Sequence, residues 1–142
     1  MEENLRPSVG VACVIFKDGK ILLGEDAGKA SNLVYGVPGG HWESGETLEN
    51  SIKREVSEES GIEIKNIQLI SVYDFFRQDK NKSYVTIGFK ADYKSGDLKD
   101  ESNSTRKSWK WFELSGLPTS LFPPDKILIE RAKTGIVWES KC

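Results

Sequence analysis

The sequence predicts an α/β fold, a mixed sandwich in which several β-strands are flanked by two helices. Three observations carry that prediction: β-branched runs broken by glycine and proline, an amphipathic charged stretch from Thr47 to Ser60, and a helical stretch after Pro123-Pro124. Ser8 to Phe16 is rich in β-branched residues and turns through Lys17-Asp18-Gly19-Lys20 into Ile21-Leu22-Leu23, a β-hairpin pattern. Gly24 to Leu33 is polar and reads as a loop, and Val34 to Val37 reads as a short strand stopped by Pro38-Gly39-Gly40. That glycine pair permits close approach of another backbone.

From Thr47 to Ser60 the apolar residues Leu48, Ile52 and Val56 recur every four positions, and Gly61 is placed as a C-terminal cap. This is the pattern of an amphipathic helix with its apolar side on a core. Ile64 to Phe76 contains two strand segments, Ser83 to Tyr93 alternates well enough for another, and Trp109 to Phe112 is a short aromatic strand. Asp97 to Lys107 is a polar loop between them. Lys126 to Lys133 forms the last helix, with Pro124 or Asp125 in its first turn and Gly135 at its end.

At 142 residues the chain has the length of one domain, taken as residues 1–142, and can bury a real core. Its formal charge of −2, from 20 basic and 22 acidic residues, gives no field that would draw it to a long nucleic acid or an anionic membrane. A polyanionic substrate must therefore be handled locally, and a metal ion is the usual means. No apolar run has the length of a membrane span and Met1 to Pro7 is too polar for a signal peptide, so the expected compartment is the cytoplasm. Cys13 and Cys142 read as free thiols, with no disulfide framework or zinc spacing. His41 is the only histidine, which leaves little to build a catalytic triad or a histidine metal cage.

The chemistry is concentrated in GHWESGETLENSIKREVSEESGI, residues 40–62. Glu55, Glu58 and Glu59 are three and four positions apart and share one side of the helix. Like charges at this spacing destabilise a bare helix by about a few tenths of a kcal/mol per pair, which makes sense if a divalent cation neutralises them. An oxygen-only ligand set favours Mg²⁺ or Mn²⁺ over zinc. Arg54 stands beside the cluster and Glu46 a turn or more ahead, so an ion pair between them would hold the preceding loop on the helix and orient the ligands. Three glutamates alone are most often a solvated face. The whole run reverses that weighting.

The run puts Gly40, Glu46, Arg54-Glu55-Val56, Glu58-Glu59 and Gly61-Ile62 at the spacing of the Nudix signature, with every fixed position filled. A match of this length would arise by chance in on the order of one chain in 10⁷ at average composition. The segments RPSVGVACVIF, KILLGE, YVTIGFKADY, SWKWFELSGLP and SLFPP extend the likeness over roughly residues 6 to 130. The chain thus resembles Nudix hydrolases of the MutT-like kind, and is most similar to those that act on nucleoside triphosphates.

The resemblance implies an α/β/α sandwich around a mixed, curved sheet. It also implies water attack on a substrate phosphorus that releases a nucleoside monophosphate and pyrophosphate, with Mg²⁺ (or Mn²⁺) as cofactor. By position, Glu55 and Glu59 are the main ligands, Glu58 is a further ligand or the base, and the carbonyl of Gly39 also reaches the metal. Glu46 and Arg54 complete the catalytic group. The base is expected among aromatic side chains at Tyr35, Phe75 and Phe122. Such relatives often carry basic residues after the second strand and acidic ones before the SWxW segment, whereas this chain has Glu25-Asp26 and Arg106-Lys107. The proline that marks ADP-ribose hydrolases past the signature is absent, since that region reads Phe75-Phe76-Arg77-Gln78-Asp79-Lys80. Two other readings compete: hydrolysis of ADP-ribose or nucleotide sugars, and a non-catalytic nucleotide-sensing module, against which the intact Arg54-Glu55 and Glu58-Glu59 argue. The expected partner is a small nucleotide, and the assembly, a homodimer included, stays open.

Overall fold

The computed structural model describes residues 6–26, 34–99 and 108–138. Arg106-Lys107, Cys142, residues 27–33 of the anticipated loop and residues 1–5 lie outside the described residues. Among the described residues seven strands form one sheet: β1 (Ser8–Lys17), β2 (Lys20–Asp26), β3 (Val34–Gly36), β4 (Gly39–His41), β5 (Glu63–Arg77), β6 (Lys82–Ser95) and β7 (Ser108–Glu113). The α-helices among the described residues are α1 (Leu48–Ser60) and α2 (Pro123–Thr134).

The sheet runs in the order β3-β2-β1-β6-β5, with β4 added to β1 and β7 added to β2. β1 lies parallel to β6 and antiparallel to β2 and β4, so the sheet is mixed, as expected. Successive residues of a strand face opposite sides, and β1 uses both. Val11, Cys13 and Ile15 pack with Ile52 and Val56 of α1, while Ala12 and Val14 pack with Leu128 and Ile129 of α2. Each helix therefore covers its own side of the sheet, giving the three-layer α/β/α sandwich. Burying one of these aliphatic side chains stabilises the fold by about 1.5 to 3 kcal/mol.

The local signals mostly act as read. Asp18 and Gly19 take positive φ in the β1-β2 turn, where left-handed backbone suits a tight hairpin. The hydroxyl of Thr47 caps α1 by accepting from the N–H of Asn50 at 3.0 Å, and Gly61 closes it at φ +87°. α2 has a proline in its first turn and ends at Gly135, φ +81°.

Three boundaries differ from the sequence reading. Gly24, Glu25 and Asp26 belong to β2, where they pair with Gly36, Tyr35 and Val34; the cross-strand partners hold a stretch whose polar composition suggested a loop. Gly39-Gly40 does not simply end a strand, because β4 pairs with Ala12, Val11 and Gly10 of β1. The two segments expected within Ile64 to Phe76 are one strand, β5, interrupted by register shifts and by Asn66 at φ 55°. Bulges reset the alternation, which is why one strand looks like two. Among the described residues no helix is long and apolar enough to cross a membrane.

Candidate active site: a carboxylate cluster beside an aromatic cleft

Arg54 organises the carboxylates. Its Nε donates to Glu46 Oε2 at 2.5 Å and its Nη2 to Glu46 Oε1 at 2.9 Å, a two-pronged pair that fixes both groups. Nη1 donates to Glu55 Oε1 at 2.8 Å and to Glu58 Oε1 at 3.2 Å, and Nη2 also reaches the carbonyl of His41 at 3.2 Å. One guanidinium thus ties the loop after β4 to α1, as the Glu46 to Arg54 pairing predicted. Within that loop Glu46 also accepts from the N–H of Glu43 at 3.2 Å, and the indole N–H of Trp42 donates to its carbonyl at 3.0 Å.

β4 completes the arrangement from the other side. The N–H of Gly39 donates to Glu59 Oε1 at 2.9 Å. A Cβ on Gly40 would lie 1.5 Å from Glu55 Oε2, and one on Gly39 would lie 2.4 Å from the carbonyl oxygen of Val11. Only glycines let this backbone pass between β1 and the carboxylates. Glu55, Glu59, Gly39 and Gly40 are consequently neighbours, while Glu58, its side chain 60% exposed, looks toward solvent.

The electrostatics follow from these contacts. The hydrogen bonds from Arg54 pull the Glu46 carboxyl down to about 2, and the guanidinium itself is held more firmly protonated by Glu46 and Glu55. Glu55 is pushed above the ordinary carboxylate range: burial raises it, and Arg54 offsets this only in part. Among the described residues no three acidic, histidine or cysteine side chains form a ready-made metal cage. Instead, Glu55 and Glu58 share Arg54 and Glu59 turns to a backbone N–H. The donor chemistry still fits a hard divalent cation, because Glu55 lies over a glycine backbone with no side chain in the way and every candidate donor is oxygen.

Next to Gly39 and Gly40 a cavity of about 250 Å³ opens, floored by β1 and walled by Thr86, Phe75, Phe122 and Asp125. A second, of about 590 Å³, lies beyond it against Tyr35, Phe76, Gln78 and Asp79. Phe75, Arg77 and Phe122 line both, so the two adjoin as one cleft, whose inner end borders the carboxylates through the Gly39-Gly40 backbone. Phe75 and Phe122 meet edge to face, centroids 5.7 Å apart at 73°. Tyr35 stands in the outer cavity only, its ring against Phe112 at 5.5 Å and its hydroxyl donating to Glu25 Oε2 at 3.1 Å. Backbone bonds from Tyr35 to Ser120 and from Phe122 to Tyr35, each 2.8 Å, seat the start of α2 beside β3.

The structure therefore brings the predicted residues into two adjoining groups: Gly39, Glu46, Arg54, Glu55, Glu58 and Glu59, and then Tyr35, Phe75 and Phe122. Sequence reasoning missed Asp125 and Arg77. Asp125 is buried at the head of α2, where its Oδ2 accepts from the N–H of Val37 at 3.0 Å. Arg77 is pinned by Asp79 through bonds of 3.2 and 2.8 Å. Asp125 was visible only as a helix-start residue, and nothing local marked Arg77.

Comparison with known proteins agrees with this geometry. The family profile described as NUDIX domain matches residues 5–132. An ADP-ribose pyrophosphatase of Methanocaldococcus jannaschii is 35% identical over 124 residues, covering 87% of this chain and 72% of that protein. The NAD-capped RNA hydrolase NudC of Escherichia coli is 34% identical over 129 residues, 90% of this chain but only 46% of NudC, so the chain spans less than half of that relative. The crystal structure of a MutT Nudix hydrolase from Burkholderia pseudomallei superimposes with a TM-score of 0.79 at 29% identity, covering 89% of this chain and 98% of that one. The family generally needs a divalent metal ion. With the signature, the fold and the profile in agreement, the chain belongs to the Nudix hydrolase family.

Proposed function

We propose that the protein hydrolyses a nucleoside triphosphate between its α and β phosphorus atoms, yielding a nucleoside monophosphate and pyrophosphate. The observation that carries this reading is the continuity of the cleft. A carboxylate cluster lies at one end, aromatic rings lie at the other, and Phe75, Arg77 and Phe122 wall both cavities. A nucleotide has the same polarity, with phosphates at one end and an aromatic base at the other.

Glu55, Glu59 and the Gly39 carbonyl would hold Mg²⁺, or Mn²⁺, with Glu58 as a further ligand or the base, and the ion when bound supplies polarisation of phosphoryl oxygens and activation of water. The protein's own part is orientation. Arg54 and Glu46 fix the loop after β4 against α1, and Glu58, the most exposed of the three acids, is the candidate to take the proton as a water oxygen bonds to phosphorus. The phosphoanhydride bond breaks and pyrophosphate leaves with the bridging oxygen. Phe75, Phe122 and Tyr35 receive the base. Because Phe75 and Phe122 touch, the base packs on the outer side of this pair, toward Tyr35. Substrates of this kind are small and soluble, and we read the enzyme as cytoplasmic.

A second reading, cleavage of ADP-ribose or a nucleotide sugar, is favoured by the 35% identity to an ADP-ribose pyrophosphatase. Catalytic efficiencies with Mg²⁺ across triphosphates, ADP-ribose, nucleotide sugars and dinucleotides decide between them. The first reading expects a triphosphate to rank highest with pyrophosphate as product. A clear preference for ADP-ribose would overturn the substrate while leaving the hydrolase intact.

A further inference from the structure

A helix leaves its last four carbonyls without intrahelical partners, and its C-terminus carries partial negative charge. α1 is badly placed on both counts. Glu58 and Glu59 stand in its final turn, and that turn contains no basic residue. The carbonyls of residues 57 to 60 nevertheless all have partners, the first through the closing helical bond and the next three from outside the helix. That of Ser57 accepts from the N–H of Gly61 at 3.0 Å and that of Ser60 from the N–H of Lys99 at 2.9 Å. The carbonyl of Glu58 accepts from the Lys99 ammonium, and that of Glu59 from the indole N–H of Trp109 at 3.0 Å.

The two outside donors come from far along the chain, Lys99 from the stretch after β6 and Trp109 from β7. The fit is backbone to backbone. Gly61 and Gly96 both have positive φ, and a Cβ on either would come within 2.8 Å of the Asp97 carbonyl oxygen or 2.9 Å of the Gly61 carbonyl oxygen. Lys99 thus brings the missing positive charge to the helix end. Trp109, 7% exposed, packs in the same cluster as Ile52 and Val56 while its N–H takes the neighbouring carbonyl.

A metal site tolerates displacements of only about 0.2 Å in its ligand distances, whereas helix ends fray. The two carbonyls met by these side chains are those of Glu58 and Glu59, two of the three acids on which the hydrolase reading depends. Resting on that reading, we infer that Lys99 and Trp109 are positioning residues, which clamp the last turn of α1 so that Glu58 and Glu59 are presented to a divalent cation at fixed spacing.

The test uses Mn²⁺ as probe, titrated by electron paramagnetic resonance into the intact protein, together with amide hydrogen exchange of α1 without metal. The variants are Lys99→Met, Lys99→Arg and Trp109→Phe. Lys99 is exposed, so Lys99→Met keeps the fold even if Trp109→Phe does not. Its sign is diagnostic: losing a positive charge near the site would by Coulomb's law tighten cation binding, whereas losing the clamp weakens it. Lys99→Met is expected to weaken Mn²⁺ affinity by roughly tenfold, at the low end of what indirect ligand support is worth, and to speed exchange at the last turn. Lys99→Arg should restore most of both, and Trp109→Phe should match Lys99→Met. Unchanged or tighter Mn²⁺ binding, with or without faster exchange, overturns the proposal. A wild-type protein that takes no Mn²⁺ and hydrolyses no nucleotide sinks the hydrolase reading and the positioning role with it, while exchange still reports whether the clamp exists.

Discussion

The carboxylate end of the cleft is assembled from residues 39–59, one short strand, one loop and one helix, whereas the aromatic end takes Tyr35 from β3, Phe75 from β5 and Phe122 from the head of α2. The first is cross-linked by charge, with Arg54 bonded to Glu46, Glu55 and Glu58. The second is held by ring contacts and by backbone bonds at its margin. On the proposed function, chemistry that depends on ligand spacing would sit in the contiguous, locally encoded part. Selection among bases would then fall to side chains that packing brings together, where substitution alters a surface without dismantling the site.

If that division holds, the largest effect comes from crowding the rigid end. Gly40→Ala places a Cβ on the Glu55 carboxylate, and a displaced group at this position should lower kcat by about a hundredfold or more in steady-state kinetics. A variant as fast as wild type would mean that Glu55 can leave its place without cost. Behind that end, Ile52 is fully buried on the core side of α1. Ile52→Ala should cost about 2 to 5 kcal/mol in denaturant unfolding, a cavity penalty, with activity per folded molecule retained. A change below about 0.5 kcal/mol would show that the side chain is not packed as described.

The aromatic end should respond differently. Phe122→Ala is expected to raise KM for the best nucleotide by the equivalent of about 1 to 3 kcal/mol, a figure for base stacking on aromatics in single-stranded nucleic acids, while Mn²⁺ affinity stays unchanged. A fall in kcat at constant KM would instead tie Phe122 to the chemistry. The smallest effect is on pH. Glu46, held near 2 against an ordinary 4.5, contributes stability that is present above the unfolded value and lost as pH falls through the folded one. Between about pH 4.5 and 2, Glu46→Gln should flatten the fall in thermal stability, and an unchanged slope would show that the pairing with Arg54 does not report on folding.

The same contrast governs how much could be read from the sequence. The helix, its Gly61 cap and the Glu46 to Arg54 pairing are encoded within about twenty consecutive residues, where helical periodicity fixes which side chains meet. The length of β2 was hidden because Glu25 and Asp26 look like loop residues until their partners on β3 are known. β5 was divided by its own bulges. Asp125 bonds a backbone N–H 88 residues away, Arg77 counts only through the two cavities it lines, and the Lys99 and Trp109 donors meet carbonyls 41 and 50 residues away at the helix end. No local pattern announces such contacts, and the same holds for the register that carries Phe75 to Phe122.

The acids on α1 either perform divalent-metal chemistry, as proposed, or form a solvated face. Magnesium-dependent nucleotide turnover by wild type and Glu59→Gln, measured side by side at matched folded fraction, separates the two most directly. At least about a hundredfold loss of turnover is expected in the variant, with folding kept or slightly improved because one of three repelling charges is gone. Full magnesium-dependent turnover in Glu59→Gln would contradict the ligand assignment.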